Sequence, residues 1–215
     1  MELLRDIAVS AERILVPKSR DALSGVAAFT ETTGVEVPLT VWDTEYVRSN
    51  GRSFRLVPGS DMSSQIAAGW GDIAICSTEL IAEAGKPTIQ SIRLGEQVCR
   101  YSVLALEDCA DDWRTFLEQT SRYPRNPRYV PASFPNYLGM IAAGRDLPLV
   151  PMRDISISGK GEATMRDSGI GAVADRVVSG ETARKLGGLE VFELAKIYPE
   201  VIFRRQDADA YKPAA

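Results

Sequence analysis

The chain has 215 residues, 45% hydrophobic and 25% charged, the make-up of a globular protein able to bury a sizeable core. Its formal net charge of −4 argues against a nucleic-acid backbone as the main partner. It contains no histidine, which removes Ser-His-Asp and Cys-His catalysis, histidine zinc sites and any histidine general base.

Residues 1–10 carry Glu2, Arg5 and Asp6 within a short apolar run, so no signal peptide is expected. No apolar run approaches membrane-spanning length. Residues 13–16 read as a strand running into Pro17 and delivering Lys18 and Arg20 at its C-terminal end, where open α/β sheets bind ligands. A solvated basic turn is the alternative. A helix follows over 21–29. Strands are expected over 37–41 and 54–57, with Arg48-Ser-Asn-Gly-Arg52 as a hairpin connection. Residues 60–68 read as a helix ending at Gly69, and 71–76 as a strand. The strand leads into a hydroxyl-rich turn, Ser77-Thr78-Glu79, that opens a helix reaching Ala84. A long alternating strand covers 97–106 and an acidic linker 107–112. Cys76, Cys99 and Cys109 are odd in number and lack metal-ligand spacing, which fits reduced thiols in a cytoplasmic protein.

From Asp111 the pattern restarts, with a helix over 113–120, a strand over 128–130, a helix over 136–143, a strand over 154–157 and a short helix near 164–167. The segment 121–135 holds Pro124, Pro127, Pro131 and Pro135, too many for one continuous element. Residues 172–174 form a strand ending at Asp175, followed by Ser179-Gly180-Glu181-Thr182 and a helix start. Such a turn makes an anion seat, because helix-opening N–H groups point outward and the helix dipole favours negative charge there. Ser179 and Thr182 add hydroxyls, and Gly180 permits close backbone approach. A plain helix N-cap is the competing reading. Strands over 190–197 and 201–203 close the chain. Alternating βα units in two blocks predict an α/β fold of two lobes with a cleft. Residues 1–105 with 186–215 form the first, and 106–185 the second.

Several stretches, in order, resemble the ATP phosphoribosyltransferase family of histidine biosynthesis. Ile14-Leu-Val-Pro-Lys-Ser-Arg20 resembles its opening strand and Pro-Lys-Gly-Arg turn. Ser60-Asp61 and Gly69-Trp-Gly-Asp72-Ile-Ala-Ile75 resemble its Asp-containing helix start and Gly-x-x-Asp-x-Gly-Ile strand. Leu94-Gly-Glu-Gln-Val-Cys99-Arg100 is similar to its Leu-Gly-x-Gly-x-Cys-Arg strand, and Val130-Pro-Ala-Ser-Phe134-Pro135-Asn136 to its Val-Ala-Thr-Lys-Tyr-Pro-Asn. Ser158-Gly159 and Glu162, then Asp175-Arg-Val-Val-Ser179-Gly180-Glu-Thr182, resemble Ser-Gly-x-x-Glu and Asp-x-Val-x-Thr-Gly-x-Thr.

The resemblance implies a two-lobed fold like that of type II periplasmic binding proteins. It implies transfer of the phosphoribosyl group of 5-phosphoribosyl-1-pyrophosphate (PRPP) to N1 of ATP, with Mg2+ carried on the pyrophosphate and no protein-held metal. Glu162, Asp175, Val178, Ser179, Gly180, Glu181 and Thr182 would bind PRPP, with Asp175 accepting from ribose hydroxyls. Lys18 and Arg20 would neutralise the departing pyrophosphate. Asp72, Cys76, Ser77 and Arg100 would line the acceptor-nucleotide side, although a Cys at a strand end is also expected as a small buried thiol. The resemblance further implies a homo-oligomer, a dimer, and a regulatory subunit resembling histidyl-tRNA synthetase, as in the short form of the family.

The departures from the family pattern fall on the nucleotide side. Ser19 replaces a Gly, Cys76-Ser77 replaces Thr-Gly, Pro58 replaces an Arg, and Ile170-Gly171 replaces Ala-Asp. They raise two further expectations: a paralogue re-specialised for another acceptor in a nucleoside pathway, and a non-catalytic solute-binding or partner domain of the same fold.

Overall fold

A computed structural model describes residues 2–19, 22–118, 129–154, 157, 161, 164–165 and 169–205. The chain divides into two compact units, Met1–Val98 with Tyr198–Ala215, and Cys99–Ile197. Both are mixed α/β.

The first unit is built on a six-stranded sheet of order β2-β3-β1-β4-β11-β5. Its centre is β1 (Arg13–Pro17), β3 (Arg52–Val57) and β4 (Ile73–Ser77), all parallel. The runs Ile-Leu-Val in β1 and Ile-Ala-Ile-Cys in β4 are continuously buried, as expected of strands covered on both faces. On one face α1 (Glu2–Ser10) and α2 (Leu23–Thr33) cover Ile14, Val16, Ile73 and Ile75. On the other, Met62 and Ile66 of α4 (Gly59–Ala67) cover Leu15 and Ala74. The short helix α5 (Thr78–Ala84) follows β4. Strand β2 (Tyr46–Ser49) joins β3 through Asn50 at φ 49° and Gly51 at φ 77°, the two left-handed residues that a tight hairpin turn requires. Strands β5 (Ile89–Arg93) and β11 (Pro199–Arg204) close the other edge, antiparallel to each other and to β4.

The strand expected over 37–41 is absent. Residues 35–40 have no regular structure, and α3 (Val41–Thr44) begins in their place. Pro38 has no N–H to give a ladder and starts the turn that becomes α3, its carbonyl accepting from Val41 at 3.0 Å. Val35, Val37 and Val41 are buried all the same, so their apolarity marks the core rather than a strand. Helix α1 and strand β5 were not expected from the sequence.

In the second unit, β6 (Cys99–Leu106) lies between β10 (Gly188–Ile197) and β9 (Ala172–Val177), antiparallel to both. Helix α6 (Trp113–Glu118) stacks Trp113 on Phe192 of β10, with ring centroids 4.2 Å apart. Strands β7 (Tyr129–Pro131) and β8 (Val150–Met152) are parallel, joined by the crossover helix α7 (Pro135–Gly144). Beyond β7, Ala132 bridges to Ala174 of β9. The strand expected over 154–157 is not at Asp154 or Ile157; β8 comes earlier, and Ile155 and Ser156 lie outside the described residues. The units also divide elsewhere than at 105/106 and 185/186. Because β6 carries ladders to both β9 and β10 along its length, β6 and β10 belong together in the second unit.

Candidate functional site

The C-terminal ends of β1, β3 and β4 form the edge where open α/β sheets present ligand-binding groups. Lys18 sits there, its N–H donating to the Val57 carbonyl at 3.0 Å. Its ammonium pairs with Glu45 at 2.5 Å. Both side chains are more than half exposed, at 56% and 65%, and such a pair is worth about 0–1 kcal/mol, so an incoming anion can displace it. Arg20 lies outside the described residues.

Three of the four residues expected beside the acceptor, Asp72, Cys76 and Ser77, are spread along β4, from the residue before it to its end. Asp72 precedes β4, whereas Ser77 ends it, five residues and roughly 16 Å away at strand spacing. Asp72 accepts from the Arg13 N–H at 2.8 Å, the Glu12 N–H at 3.0 Å and the Arg13 guanidinium. Burial pulls its carboxyl upward, but these hydrogen bonds and the guanidinium charge outweigh it and hold the carboxyl below its ordinary value. Asp72 therefore ties the start of β1 to the start of β4. Cys76 is 6% exposed and packs with Leu15, Met62 and Ile66. Desolvation, with the charges of Glu79 and Glu200 and against a hydrogen bond from Ser77, pushes its thiol up to about 12. It is a neutral core thiol, one of the two roles expected of it.

Ser77 is at the N-cap of α5, but its hydroxyl donates to Glu79 Oε1 at 2.7 Å rather than capping the helix. Thr78 turns inward too. Its Oγ1 donates to Glu200 Oε1 at 2.8 Å and accepts the Tyr198 N–H at 3.1 Å. Glu79 and Glu200 are both buried, so this turn is folded into a polar network of its own unit.

The loop after β9 has the opposite character. Val178 is 76% exposed, and Ser179, Glu181 and Thr182 are exposed. Gly180 takes φ 72° at the N-cap of α8 (Glu181–Lys185) and has no side chain with which to cap it. The Glu181 N–H reaches Ser179 Oγ at 3.3 Å. The other first-turn N–H groups of a helix have no intrahelical acceptor. Glu181 pairs with Lys185 at 2.9 Å, which draws its carboxylate toward α8. Among the described residues the Thr182 hydroxyl makes no hydrogen bond.

Asp175 lies within β9, since the strand runs past Ala174 to Val177. It is 8% exposed. Its Oδ1 accepts from Ser133 Oγ at 2.6 Å and its own neighbour Arg176 N–H at 2.7 Å, and Oδ2 accepts from the Gly161 N–H at 3.1 Å. Its carboxylate is buried and ties three segments of its own unit together. Glu162 lies outside the described residues. Arg100, expected on the acceptor side, is bound within the second unit: its guanidinium grips both oxygens of Glu190 and donates to the Val178 carbonyl at 3.0 Å. Ser102 donates to the same Glu190 at 2.7 Å. The Arg100 hydrogen bonds hold the Glu190 carboxyl below its ordinary value despite its burial. Arg100 thus positions the backbone at the start of the exposed loop. The bonds of Ser133 to Asp175, Ser102 to Glu190 and Thr78 to Glu200 escaped the sequence reading because the partners lie 42 to 122 residues apart.

The fold is of the type II periplasmic-binding-protein class, shared by enzymes and ligand-binding domains. No family model matches the sequence, and no curated protein matches it either. Among solved structures, the ATP phosphoribosyl transferase (HisG:HisZ) complex from Thermotoga maritima is similar at a TM-score of 0.64 and 16% identity, over 91% of this chain and 89% of that one. The ligand-binding component of an ABC-type import system from Staphylococcus aureus, with zinc bound, is similar at 0.50 and 14%, over 91% and 66%. Protein AF1704 from Archaeoglobus fulgidus is similar at 0.51 and 10%, over 92% and 71%. At these identities the likeness is one of fold. Among the described residues, no helix is long and apolar enough to cross a membrane.

Proposed function

We propose that the chain is a PRPP-dependent phosphoribosyltransferase, joining the phosphoribosyl group to N1 of ATP or a related purine nucleotide and releasing pyrophosphate. The observation that carries this reading is the outward turn 178–182, where a left-handed Gly180 opens α8 beside the exposed hydroxyls of Ser179 and Thr182. Its chemistry fits a 5′-phosphate, and it lies in a chain whose fold is similar to that of an ATP phosphoribosyl transferase.

In this reading Ser179, Thr182 and the opening N–H groups of α8 hold the 5′-phosphate, and Arg100 fixes the loop through the Val178 carbonyl. The purine N1 lone pair forms the new bond to C1 as the C1–O bond breaks, and that electron pair leaves with pyrophosphate. Mg2+ arrives on the substrate's pyrophosphate and offsets its charge. Lys18, released from Glu45, and Arg20 add cationic stabilisation as that charge grows. Orientation and electrostatics supply the acceleration, so histidine is not needed. The departures at Ser19, Cys76 and Ser77 leave a related purine, or another acceptor in a nucleoside pathway, as the variant of the same reading. We place the enzyme in the cytoplasm, as a dimer, with a regulatory subunit resembling histidyl-tRNA synthetase. The likeness to the HisG:HisZ complex supports such partnering.

The likeness to the ligand-binding component of an ABC-type importer favours a second reading, binding without chemistry. Incubation with PRPP, Mg2+ and a panel of nucleotides, followed by pyrophosphate assay and mass spectrometry of products, separates the two. Pyrophosphate release with a phosphoribosylated nucleotide supports transfer. PRPP bound and recovered intact with every acceptor supports binding alone.

A further inference from the structure

A second polar site lies in the first unit, away from the strand ends that carry Lys18 and Ser77. In-register strand partners share a sheet face, and Arg13 pairs with Ser53, Ser53 with Arg48, and Arg55 with Tyr46. Arg13, Arg48, Arg55 and Tyr46 therefore stand on one face. Leu15 of the same face is covered by Met62 and Ile66 of α4. Tyr46 and Arg48 of β2, Arg55 of β3 and Trp70, just after α4, border one cavity. The cavity, of about 350 Å³, is lined by these residues together with Glu12.

Its chemistry is specific. Trp70 is 62% exposed and Tyr46 49%, so two flat aromatic surfaces border the cavity with much of their area in water. Arg13 is committed: its guanidinium binds Asp72 and donates to the Gly69 carbonyl at 2.9 Å. Arg55 donates to Gln65 Oε1, a neutral acceptor that leaves its charge uncompensated. Among the described residues, neither Arg48 nor Arg55 forms an ion pair. Two available guanidinium charges thus face a single carboxylate, Glu12, in a protein of net charge −4. Guanidinium groups bind phosphate through paired N–H donors, and exposed indole and phenol rings stack on flat heterocycles. A volume near the lower end of the ~300–1,000 Å³ typical of small-molecule pockets suits one nucleotide rather than a strand.

We propose that this cavity binds a nucleoside phosphate, with Arg48 and Arg55 on the phosphate and Trp70 and Tyr46 against the base. Its lining belongs to the first unit and includes no residue of the loop 178–182, and its occupant is a ligand, not the phosphoribosyl donor. The test follows the Trp70 indole N–H signal by NMR, assigned through its loss in Trp70→Phe, while 5′-AMP, adenosine and inorganic phosphate are added separately. Trp70 and Arg48 are both exposed, so the variants keep the fold. The site predicts a saturable Trp70 shift with AMP and at least tenfold weaker binding of either half alone. Arg48→Ala should weaken AMP at least tenfold, whereas Thr182→Val leaves the AMP titration at Trp70 unchanged. A Trp70 signal unmoved by millimolar AMP overturns the proposal. So does phosphate binding as tightly as AMP, or an Arg48→Ala titration identical to the wild type.

Discussion

Two turns in this chain are written alike and folded oppositely. Ser77-Thr78-Glu79 follows β4 and opens α5; Ser179-Gly180-Glu181-Thr182 follows β9 and opens α8. Each joins a strand to a helix through hydroxyls and a glutamate. In the first, Glu79 is fully buried and the hydroxyls of Ser77 and Thr78 are bound to Glu79, Glu200 and Tyr198. In the second, Gly180 turns the backbone left-handed, and Ser179 and Thr182 face water. The difference teaches that a hydroxyl-rich turn is a ligand site only where the protein has not already supplied the partners. By that measure the second turn can take an anion and the first serves the fold.

The comparison can be broken at the support of the second turn. A Cβ on Gly161 would lie 2.2 Å from Asp175 Oδ2 and 2.9 Å from its Cγ, so the carboxylate that joins Ser133, Gly161 and β9 must move. Gly161→Ala should destabilise the second unit by about 3 kcal/mol, the upper range for overpacking, read as a lowered urea midpoint. An unchanged midpoint would mean that the Asp175 junction does not hold this region together.

The first turn offers a somewhat smaller effect. Thr78→Val removes a hydroxyl with a donor and an acceptor role, leaving Glu200 and the Tyr198 N–H short of partners, at a cost of about 2 kcal/mol. Stability should fall while PRPP affinity is unchanged. A PRPP affinity that falls with it would place the first turn among the ligand groups after all.

The smallest effect is a pH dependence. Asp72 and Glu190 are held below their ordinary values of 3.8 and 4.5. Carboxylates lowered on folding give stability that is present above those values and lost as pH falls through the lowered ones. Glu190→Gln should therefore lower the urea midpoint at neutral pH and flatten its decline below about pH 4.5. An acid decline as steep as the wild type's would show that the Arg100–Glu190 pair contributes nothing there.

Much of the scaffold was legible because its signals are local. The continuous apolar runs of β1 and β4, the Asn50-Gly51 turn and the Gly180 turn each carry their own geometry within a few residues. The strand expected over 37–41 failed because apolar alternation reports burial, and Pro38 decides the backbone. Of the candidate site, the groups that the sequence places outward, Lys18, Val178, Ser179, Glu181 and Thr182, are exposed in the structure. The site was illegible where function depends on who is already bound. Asp72, Asp175 and Arg100 are charged residues at plausible positions, but Arg13, Ser133 and Glu190 reach them from 42 to 90 residues away. Sequence order carries no trace of those encounters.

The most direct test of the outward turn is the PRPP affinity of Thr182→Val, measured by calorimetry in Mg2+ beside the wild type and Thr78→Val. A hydrogen bond to a charged phosphate contributes roughly 1.5–3 kcal/mol, so Thr182→Val should weaken PRPP about tenfold or more. Thr78→Val should bind as the wild type does. Equal affinity in Thr182→Val and the wild type would contradict the account and leave the second turn as a helix cap.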